Sequence, residues 1–130
     1  MFNFFRNNKF PSFWKEYLKT FKQKPTKTIE TTRFVVFDTE TTGLNIANDR
    51  ILSIGAVAIF NNTINVADSF EIYLKQHEFK SETVEIHGIL KDGNLEKHSE
   101  KMALEKFIKY LENAVLVAHH AAFDIEMINA

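Results

Sequence analysis

An apolar run at residues 34–37 opens the most regular part of the chain, and polar residues follow it directly. Consecutive aromatic and β-branched residues are typical of a buried strand. Two carboxylates, Asp38 and Glu40, lie at its end, and a hydroxyl-rich turn then leads to Gly43. Because alternate residues of a strand project from the same face, we expect the two acids to share one face. Two adjacent anions repel unless a cation lies between them, so the pattern predicts a divalent-metal site.

A hairpin is predicted next. Residues 51–60 are almost continuously apolar, as in a strand covered on both faces, and Asn61 and Asn62 mark a turn into a third strand over residues 64–74. We expect the apolar residues of this third strand to share one face, which Asp68 interrupts. They are Ile64, Val66, Phe70, Ile72 and Leu74.

Helices and a fourth strand complete the predicted pattern. Residues 82–86 form a short helical candidate that ends at His87, and Ser99 is a candidate N-cap for a longer helix. The apolar stripe of that longer helix consists of Leu104, Phe107, Ile108 and Leu111. A short strand over 114–118 leads into a last helical pattern over 125–129. This order predicts an α/β fold, a mixed sheet flanked by helices.

The N-terminal residues differ from the rest in charge and composition. Residues 1–30 carry a net charge of +5, whereas residues 31–130 carry −6. We therefore divide the chain into residues 1–32, an amphipathic helix capped by Ser12 and a linker, and residues 33–130, the main domain. Three roles are open for the helix: packing on its own domain, docking to a partner protein, or contact of its basic face with nucleic acid or a membrane surface.

Composition restricts the chemistry. The chain has no cysteine, which excludes disulfides and thiolate catalysis and fits a cytoplasmic protein. No apolar run is long enough to span a bilayer. An acidic domain that handles nucleic acid needs metal ions to offset phosphate repulsion. If the fourth strand lies parallel to the first, Asp124 reaches the same sheet edge as Asp38 and Glu40. Three carboxylates without thiolates favour Mg²⁺ or Mn²⁺, and two such ions promote phosphodiester hydrolysis.

Three segments together point to a family. They are Phe37-Asp38-Thr39-Glu40-Thr41-Thr42-Gly43-Leu44, Glu85-Ile86-His87-Gly88-Ile89 and Leu116-Val117-Ala118-His119-His120-Ala121-Ala122-Phe123-Asp124. In this order they resemble the DEDD superfamily of 3′→5′ exonucleases. The resemblance is to its DEDDh branch, typified by the DnaQ-like proofreading (epsilon) subunit of bacterial replicative DNA polymerase. It covers about residues 33–130 and implies a ribonuclease H-like fold in which residues 51–60 run antiparallel to both neighbouring strands.

The resemblance also implies roles for individual residues. Asp38 corresponds to a carboxylate shared by two metal ions, Glu40 to its partner ligand, and Asp124 to the acid of the second exonuclease motif. The expected substrate-binding residues, which include the segment against the terminal nucleotide, are Thr41, Thr42, Gly43, Leu44, His87, His120 and Phe123. The expected cofactor is Mg²⁺ or Mn²⁺, two ions in the complete domain.

Two departures from the family pattern change this expectation. His120 stands where the family usually has Asn. The third motif, which supplies a general-base His and a fourth metal-binding Asp, would lie beyond Ala130. We therefore expect the domain to be incomplete at its C-terminus, and residues 1–130 alone to be inactive or a very weak nuclease, because a general base contributes about 10²–10⁴-fold in rate.

The sequence thus favours a metal-dependent 3′→5′ exonuclease of the proofreading or repair type. Its substrate would be the 3′ end of single-stranded DNA or RNA, and a DNA polymerase subunit is a candidate partner. The alternative is a non-catalytic module of the same fold that binds nucleic acid or a polymerase. A metal-dependent phosphatase, or another nuclease that uses the same carboxylates, is the third hypothesis.

Overall fold

The computed structural model describes residues 10–22, 28–76, 84, 88–89 and 94–130. These residues contain three helices and five strands. The helices are α1 (Ser12–Lys19), α2 (Glu100–Leu111) and α3 (Ala121–Asn129). The strands are β1 (Phe34–Thr41), β2 (Ile51–Phe60), β3 (Thr63–Leu74), β4 (Lys97–His98) and β5 (Val115–Val117). The helical candidate over residues 82–86 lies outside the described residues except for Val84.

The strands form one mixed sheet in the order β4-β3-β2-β1-β5. β2 runs antiparallel to β1 and to β3, whereas β5 runs parallel to β1 with Phe34 opposite Val115 and Val36 opposite Val117. β4 pairs in parallel with the end of β3 and was not predicted from the sequence. The mixed sheet with flanking helices confirms the predicted α/β class, and the antiparallel β2 confirms its expected direction.

Local sequence signals explain most of the element boundaries. Asn61 and Asn62 both have positive φ, 49° and 58°, which suits the two-residue turn of the β2–β3 hairpin. The Ser99 hydroxyl accepts a hydrogen bond from the Met102 amide at 3.4 Å and caps α2 as predicted. The last helix begins at Ala121, four residues before the predicted start. None of the helices in the described ranges combines the length and apolarity of a membrane span.

The two faces of the sheet differ in what covers them. We call the face that carries Val35, Phe37 and Thr39 the core face, because α2 and α3 pack there. The opposite face, which carries Val36, Asp38 and Glu40, is the carboxylate face. The buried cluster on the core face consists of Val35, Phe37, Ile51, Ile54, Ile72, Leu74, Ala103, Phe107, Leu111, Ala114 and Met127. On the carboxylate face, Val115 and Val117 remain exposed, so the described helices stabilise the core side of the sheet.

One prediction about β3 is wrong. Its apolar residues do not share a face, because the pairing with β2 shifts between Val57 and Ala58. Ile64 lies opposite Ile59, on the carboxylate face, whereas Phe70 lies opposite Ala56, on the core face. The extra β3 residues in this bulge change the alternation. Ile72 and Leu74 are therefore buried with Phe70 partly buried, while Ile64 and Val66 are exposed.

The N-terminal helix α1 packs against α2. Tyr17 contacts the hydrophobic core, and burial raises the pKa of its hydroxyl. The side-chain amide of Asn113, just after α2, donates to the Thr20 carbonyl oxygen at the end of α1 at 3.2 Å. Leu18 and Phe21 are 47% and 43% exposed. Packing on its own domain is thus the arrangement that the structure shows for this helix.

Arg33 connects three elements just before β1. Its guanidinium donates two hydrogen bonds of 2.9 Å to the carboxylate of Asp68, in the β3 bulge. It also donates to the carbonyl oxygens of Tyr110 (3.0 Å) and Leu111 (3.3 Å), at the end of α2. The same cation lies 4.7 Å from the centre of the Tyr110 ring. Because a guanidinium has five donors in a fixed plane, one side chain holds the strand, the bulge and the helix end together.

We predict that Asp68→Asn lowers the free energy of unfolding by roughly 1–2 kcal/mol at pH 7, because it removes a charged acceptor from Arg33. The hydrogen bonds and the charge of Arg33 lower the pKa of Asp68. This contribution is therefore present above the ordinary aspartate value of about 4 and is lost as the pH falls through the lower, folded-state pKa. Urea unfolding between pH 7 and pH 2 measures the effect.

The matched control for this prediction is Glu71→Gln, which changes an exposed carboxylate on the same strand. It should alter stability by less than about 0.5 kcal/mol. Equal stability of Asp68→Asn and wild type at pH 7, or a difference between them that persists at acid pH, would contradict the assigned role of the ion pair.

Candidate active site

The end of β1 presents two carboxylates to solvent. Asp38 is exposed and Glu40 is half-buried, and both belong to the carboxylate face, while Thr39 between them is buried on the core face. This arrangement follows from the two-residue period of the strand. The acids thus share a face, as their spacing predicts.

The neighbouring strand leaves room beside Asp38. Gly55 of β2 lies directly opposite Asp38, and a Cβ placed on Gly55 would meet no atom within 4 Å. Ser53, a small residue, lies opposite Glu40. Because Asp38 is exposed and no side chain lies opposite it, a ligand can approach Asp38 from the carboxylate face.

A bulge separates the two acids from the turn that follows. Glu40 pairs with Ser53, but Thr41 pairs with Ile51, so Leu52 is an additional residue on β2. Such bulges bend a strand and redirect the side chains beyond them, and they are common beside active sites. Here the bulge ends the regular pairing at the last carboxylate and starts the turn over residues 41–44.

The turn over residues 41–44 is held by its own polar groups. The Thr41 hydroxyl donates to the Gly43 carbonyl oxygen at 2.7 Å, and the Thr42 amide donates to the Arg50 carbonyl oxygen at 2.9 Å. Thr42 is buried, whereas Leu44 is 83% exposed. Among the four substrate-binding candidates in this turn, Leu44 therefore offers the largest accessible apolar side chain.

Asp49 is a residue of this site that sequence reasoning missed. Its carboxylate is buried and accepts hydrogen bonds from the Thr42 hydroxyl and the Asn45 amide, both at 2.9 Å. A Cβ on Gly43 would lie 2.5 Å from Asp49 Oδ2, so any larger residue there would force the buried Asp49 carboxylate to move. The available sequence signal was an aspartate in a short loop directly before a buried strand.

Asp124, in the first turn of α3, also lies close to the end of β1. β5 leads to His120, which adopts the left-handed conformation (φ 56°, ψ 45°) just before α3. Asn and His are among the non-glycine residues that tolerate this conformation, which explains how His replaces the Asn of the family motif. Asp124, 3% exposed, then accepts a 2.7 Å hydrogen bond from the Thr39 hydroxyl.

The structure therefore brings the predicted residues together only in part. Asp38 and Glu40 share the carboxylate face, and Asp124 is linked to the residue between them on the core face. Within the described ranges, no group of three or more acidic or histidine side chains is placed to hold a metal ion. The Asp38 and Glu40 oxygens are the donor type that Mg²⁺ and Mn²⁺ prefer, so these two residues fit such an ion.

The remaining substrate-binding candidates differ in their surroundings. Phe123 is half-buried and packs against the hydrophobic core, whereas His120 is exposed just before α3. His87 lies outside the described residues. The roles assigned to these side chains thus stay predictions.

Comparison with known proteins identifies the family to which this chain belongs. The sequence model of the RNase T family, described as exonuclease, matches residues 35–130. The chain belongs to this exonuclease family, which confirms the resemblance inferred from the sequence motifs. The family consists of hydrolases, so the chain carries an exonuclease-type domain, and metal use is general in the family.

The relatives of this chain include epsilon subunits of DNA polymerase III. The chain is 38% identical over 105 residues to the DNA polymerase III subunit epsilon of Buchnera aphidicola subsp. Schizaphis graminum. This match covers 76% of the chain and 45% of that relative. It is 37% identical over 100 residues to the Escherichia coli K12 epsilon subunit, covering 72% of the chain and 41% of that subunit. The chain thus spans less than half the length of these relatives.

Solved structures agree on the fold. Exonuclease I, without ligand, superposes with a TM-score of 0.66 at 18% identity, covering 75% of the chain and 24% of that protein. Cell-death related nuclease 4 superposes with a TM-score of 0.60 at 18% identity, covering 78% of the chain and 42% of that protein. The mixed sheet with helices on the core face is thus the exonuclease, ribonuclease H-like fold.

We predict that Gly43→Ala lowers the free energy of unfolding by roughly 1–3 kcal/mol, because the new methyl group overlaps the buried Asp49 carboxylate. Gly55→Ala is the matched control, since it adds the same methyl group to a strand position with open space. We expect the control to keep or slightly raise the stability. Urea unfolding of both variants tests this; equal stability of the two would contradict the close approach at Gly43.

Proposed function

We propose that this domain is a 3′→5′ exonuclease that hydrolyses terminal phosphodiesters of single-stranded nucleic acid, with DNA as the favoured substrate, and releases nucleoside monophosphates. The observation that carries the proposal is the arrangement at the end of β1. Asp38 and Glu40 lie on one face, and Asp124 is hydrogen-bonded to Thr39 between them. The proposal is supported by the proximity of these acids to the end of β1, with Asp38 and Glu40 on the strand and Asp124 in the first turn of α3.

Asp38 and Glu40 would hold the divalent cations, with Asp124 as the third acid. Bound Mg²⁺ or Mn²⁺, two ions in the complete site, would offset the charge of the phosphodiester and of the attacking and leaving oxygens. The protein's own contribution is to keep the two carboxylates on one face of β1, with Asp38 exposed and Glu40 half-buried. The Thr39–Asp124 hydrogen bond supports this by fixing the backbone between them.

The turn over residues 41–44 would receive the terminal nucleotide. It follows Glu40 directly, and Leu44 projects into solvent where a base or sugar can pack against it. The open space over Gly55 leaves a path for the terminal phosphate to reach Asp38. Orientation of the 3′ end would thus come from the turn, and charge neutralisation from the carboxylates.

A general-base His and a fourth acid are the groups that residues 1–130 do not supply in the family pattern. We propose that these two groups, where they are supplied in addition to residues 1–130, act at the carboxylate face. That face carries Asp38 and Glu40, and the helices of the core cluster lie on the other side of the sheet. Residues 1–130 alone would then bind substrate but hydrolyse it very slowly.

We predict that Asp38→Ala and Asp124→Ala each reduce hydrolysis by about 10³-fold or more in the protein that contains residues 1–130 together with the third motif. The assay is Mg²⁺-dependent shortening of a 5′-labelled single-stranded DNA from its 3′ end, with a single-stranded RNA in parallel. Glu71→Gln, an exposed acid two strands away on the same face, is the control and should retain activity. Retained activity in both Asp variants would refute the assignment.

A non-catalytic module of the same fold is the second candidate. It is favoured by the position of Asp124, which binds the Thr39 hydroxyl on the core face, whereas Asp38 and Glu40 lie on the carboxylate face. The two functions differ in a direct measurement. A binding module retains metal-dependent affinity for single-stranded DNA but shows no hydrolysis even when the third motif is present.

We further propose that the protein works with a DNA polymerase in the cytoplasm, because the relatives above are subunits of DNA polymerase III. The exposed apolar residues of the α1 segment, Leu18 and Phe21, are the candidate contact. Leu18→Ser with Phe21→Ser should weaken co-purification with a polymerase catalytic subunit at least about tenfold while leaving hydrolysis unchanged. Unchanged co-purification would remove α1 as the contact.

A further inference from the structure

The loop between β1 and β2 contains a carboxylate that is 3% exposed, that of Asp49. Both of its oxygens act as acceptors. Oδ1 accepts a hydrogen bond from the Thr42 hydroxyl, and Oδ2 accepts one from the backbone amide of Asn45, each at 2.9 Å. A buried carboxylate is stabilised only when such donors replace the lost water, so these bonds define where the carboxylate lies.

The same carboxylate also contacts the backbone of the turn. Its Oδ2, Cγ and Oδ1 atoms would lie 2.5, 2.8 and 2.9 Å from a Cβ on Gly43. The Gly43 backbone therefore packs directly against the Asp49 carboxylate. Thr42, 2% exposed, accepts a bond from the Arg50 amide at 3.0 Å as well as donating to Asp49. Asp49 and Arg50 therefore hold the turn in place through their contacts with Thr42 and Gly43.

Leu44 depends on this arrangement because it has little support of its own. Its side chain is 83% exposed, so packing does not fix its position. The residues on either side of it, Gly43 and Asn45, both contact the Asp49 carboxylate. The direction in which Leu44 projects is thus set by the backbone that Asp49 holds.

We propose that Asp49 is a positioning residue for substrate: it holds the turn over residues 41–44 in the shape that receives a 3′-terminal nucleotide beside Asp38 and Glu40. This inference rests on the proposed exonuclease function and extends it to a residue outside the three motifs. Asp49 acts through Thr42, Gly43 and Asn45 and does not itself touch the substrate.

Asp49→Asn is the variant that separates this role from simple packing. Asparagine has the same size, so the contact with Gly43 is retained. It has only one acceptor oxygen, however, and no charge. If that oxygen accepts from the Asn45 backbone amide, the side-chain nitrogen faces the Thr42 hydroxyl, which must then rotate and accept instead of donating. The substitution therefore removes the charged acceptor from both hydrogen bonds and reverses or breaks the one to Thr42.

The test uses residues 1–130 with Ca²⁺ in place of Mg²⁺ to suppress hydrolysis. Fluorescence anisotropy measures the affinity for two single-stranded DNA decamers, one with a 3′-hydroxyl and one with a 3′-phosphate. Wild type should prefer the 3′-hydroxyl end. Asp49→Asn should bind that end about tenfold more weakly, the scale of one charge-assisted hydrogen bond, and the preference should approach one.

Asp68→Asn is the matched control, because it also removes a hydrogen-bonded carboxylate, one held by Arg33 and not by the turn. It should keep the wild-type preference for the 3′-hydroxyl end when compared at equal fraction folded. If Asp49→Asn does not fold, Thr42→Val replaces it, since valine lacks the hydroxyl that donates to Asp49. A wild-type preference in the Asp49 or Thr42 variant, or an equal loss in the control, overturns the proposal.

A wild type with no preference for a 3′ end would refute the proposed exonuclease function instead. Amide hydrogen exchange at Thr42 and Asn45 then decides whether Asp49 holds the turn. Faster exchange in Asp49→Asn than in Asp68→Asn supports that role, and equal exchange rates overturn it.

Discussion

The alternation of side chains along β1 is the constraint on which the rest of the structure depends. Val35, Phe37 and Thr39 face the helices, while Asp38 and Glu40 face the other way. A shift of one residue in the pairing would exchange the two sets, and both carboxylates would be buried in an apolar core. The cost of burying unpaired charges is several kcal/mol each, so the core itself fixes the register that exposes the acids.

Thr39 joins the two sides of this arrangement. Its side chain belongs to the core face, yet its backbone lies between the two exposed acids, and its hydroxyl binds Asp124. The position of α3 is therefore coupled to the backbone that carries Asp38 and Glu40. Arg33 has a similar effect at the other end of β1, where it ties the strand to the β3 bulge and to α2. The central strand is thus anchored at both ends by polar contacts.

The sequence predicted what depends on local periodicity and on motifs. Such signals predicted the range of β2, the Asn61–Asn62 turn, the Ser99 cap and the parallel pairing of β5 with β1. The face of Ile64 was wrong, because a bulge depends on the pairing of two strands and not on the pattern within one. Asp49 and β4 were missed for a related reason. A buried loop carboxylate and a two-residue strand are defined by their tertiary partners alone.

The contacts that build the candidate site differ in how far apart their residues lie along the chain. Asp38 and Glu40 come from one strand, and Asp49 contacts a turn residue seven positions away, whereas Thr39 and Asp124 are 85 residues apart. Contacts between distant residues require closure of a long chain segment, and such contacts slow folding. We expect β1, its turn and the β2–β3 hairpin to form early, and the bond between Thr39 and Asp124 to form late. Formation of the bond between Thr39 and Asp124 would then report that residues 33–130 have folded together.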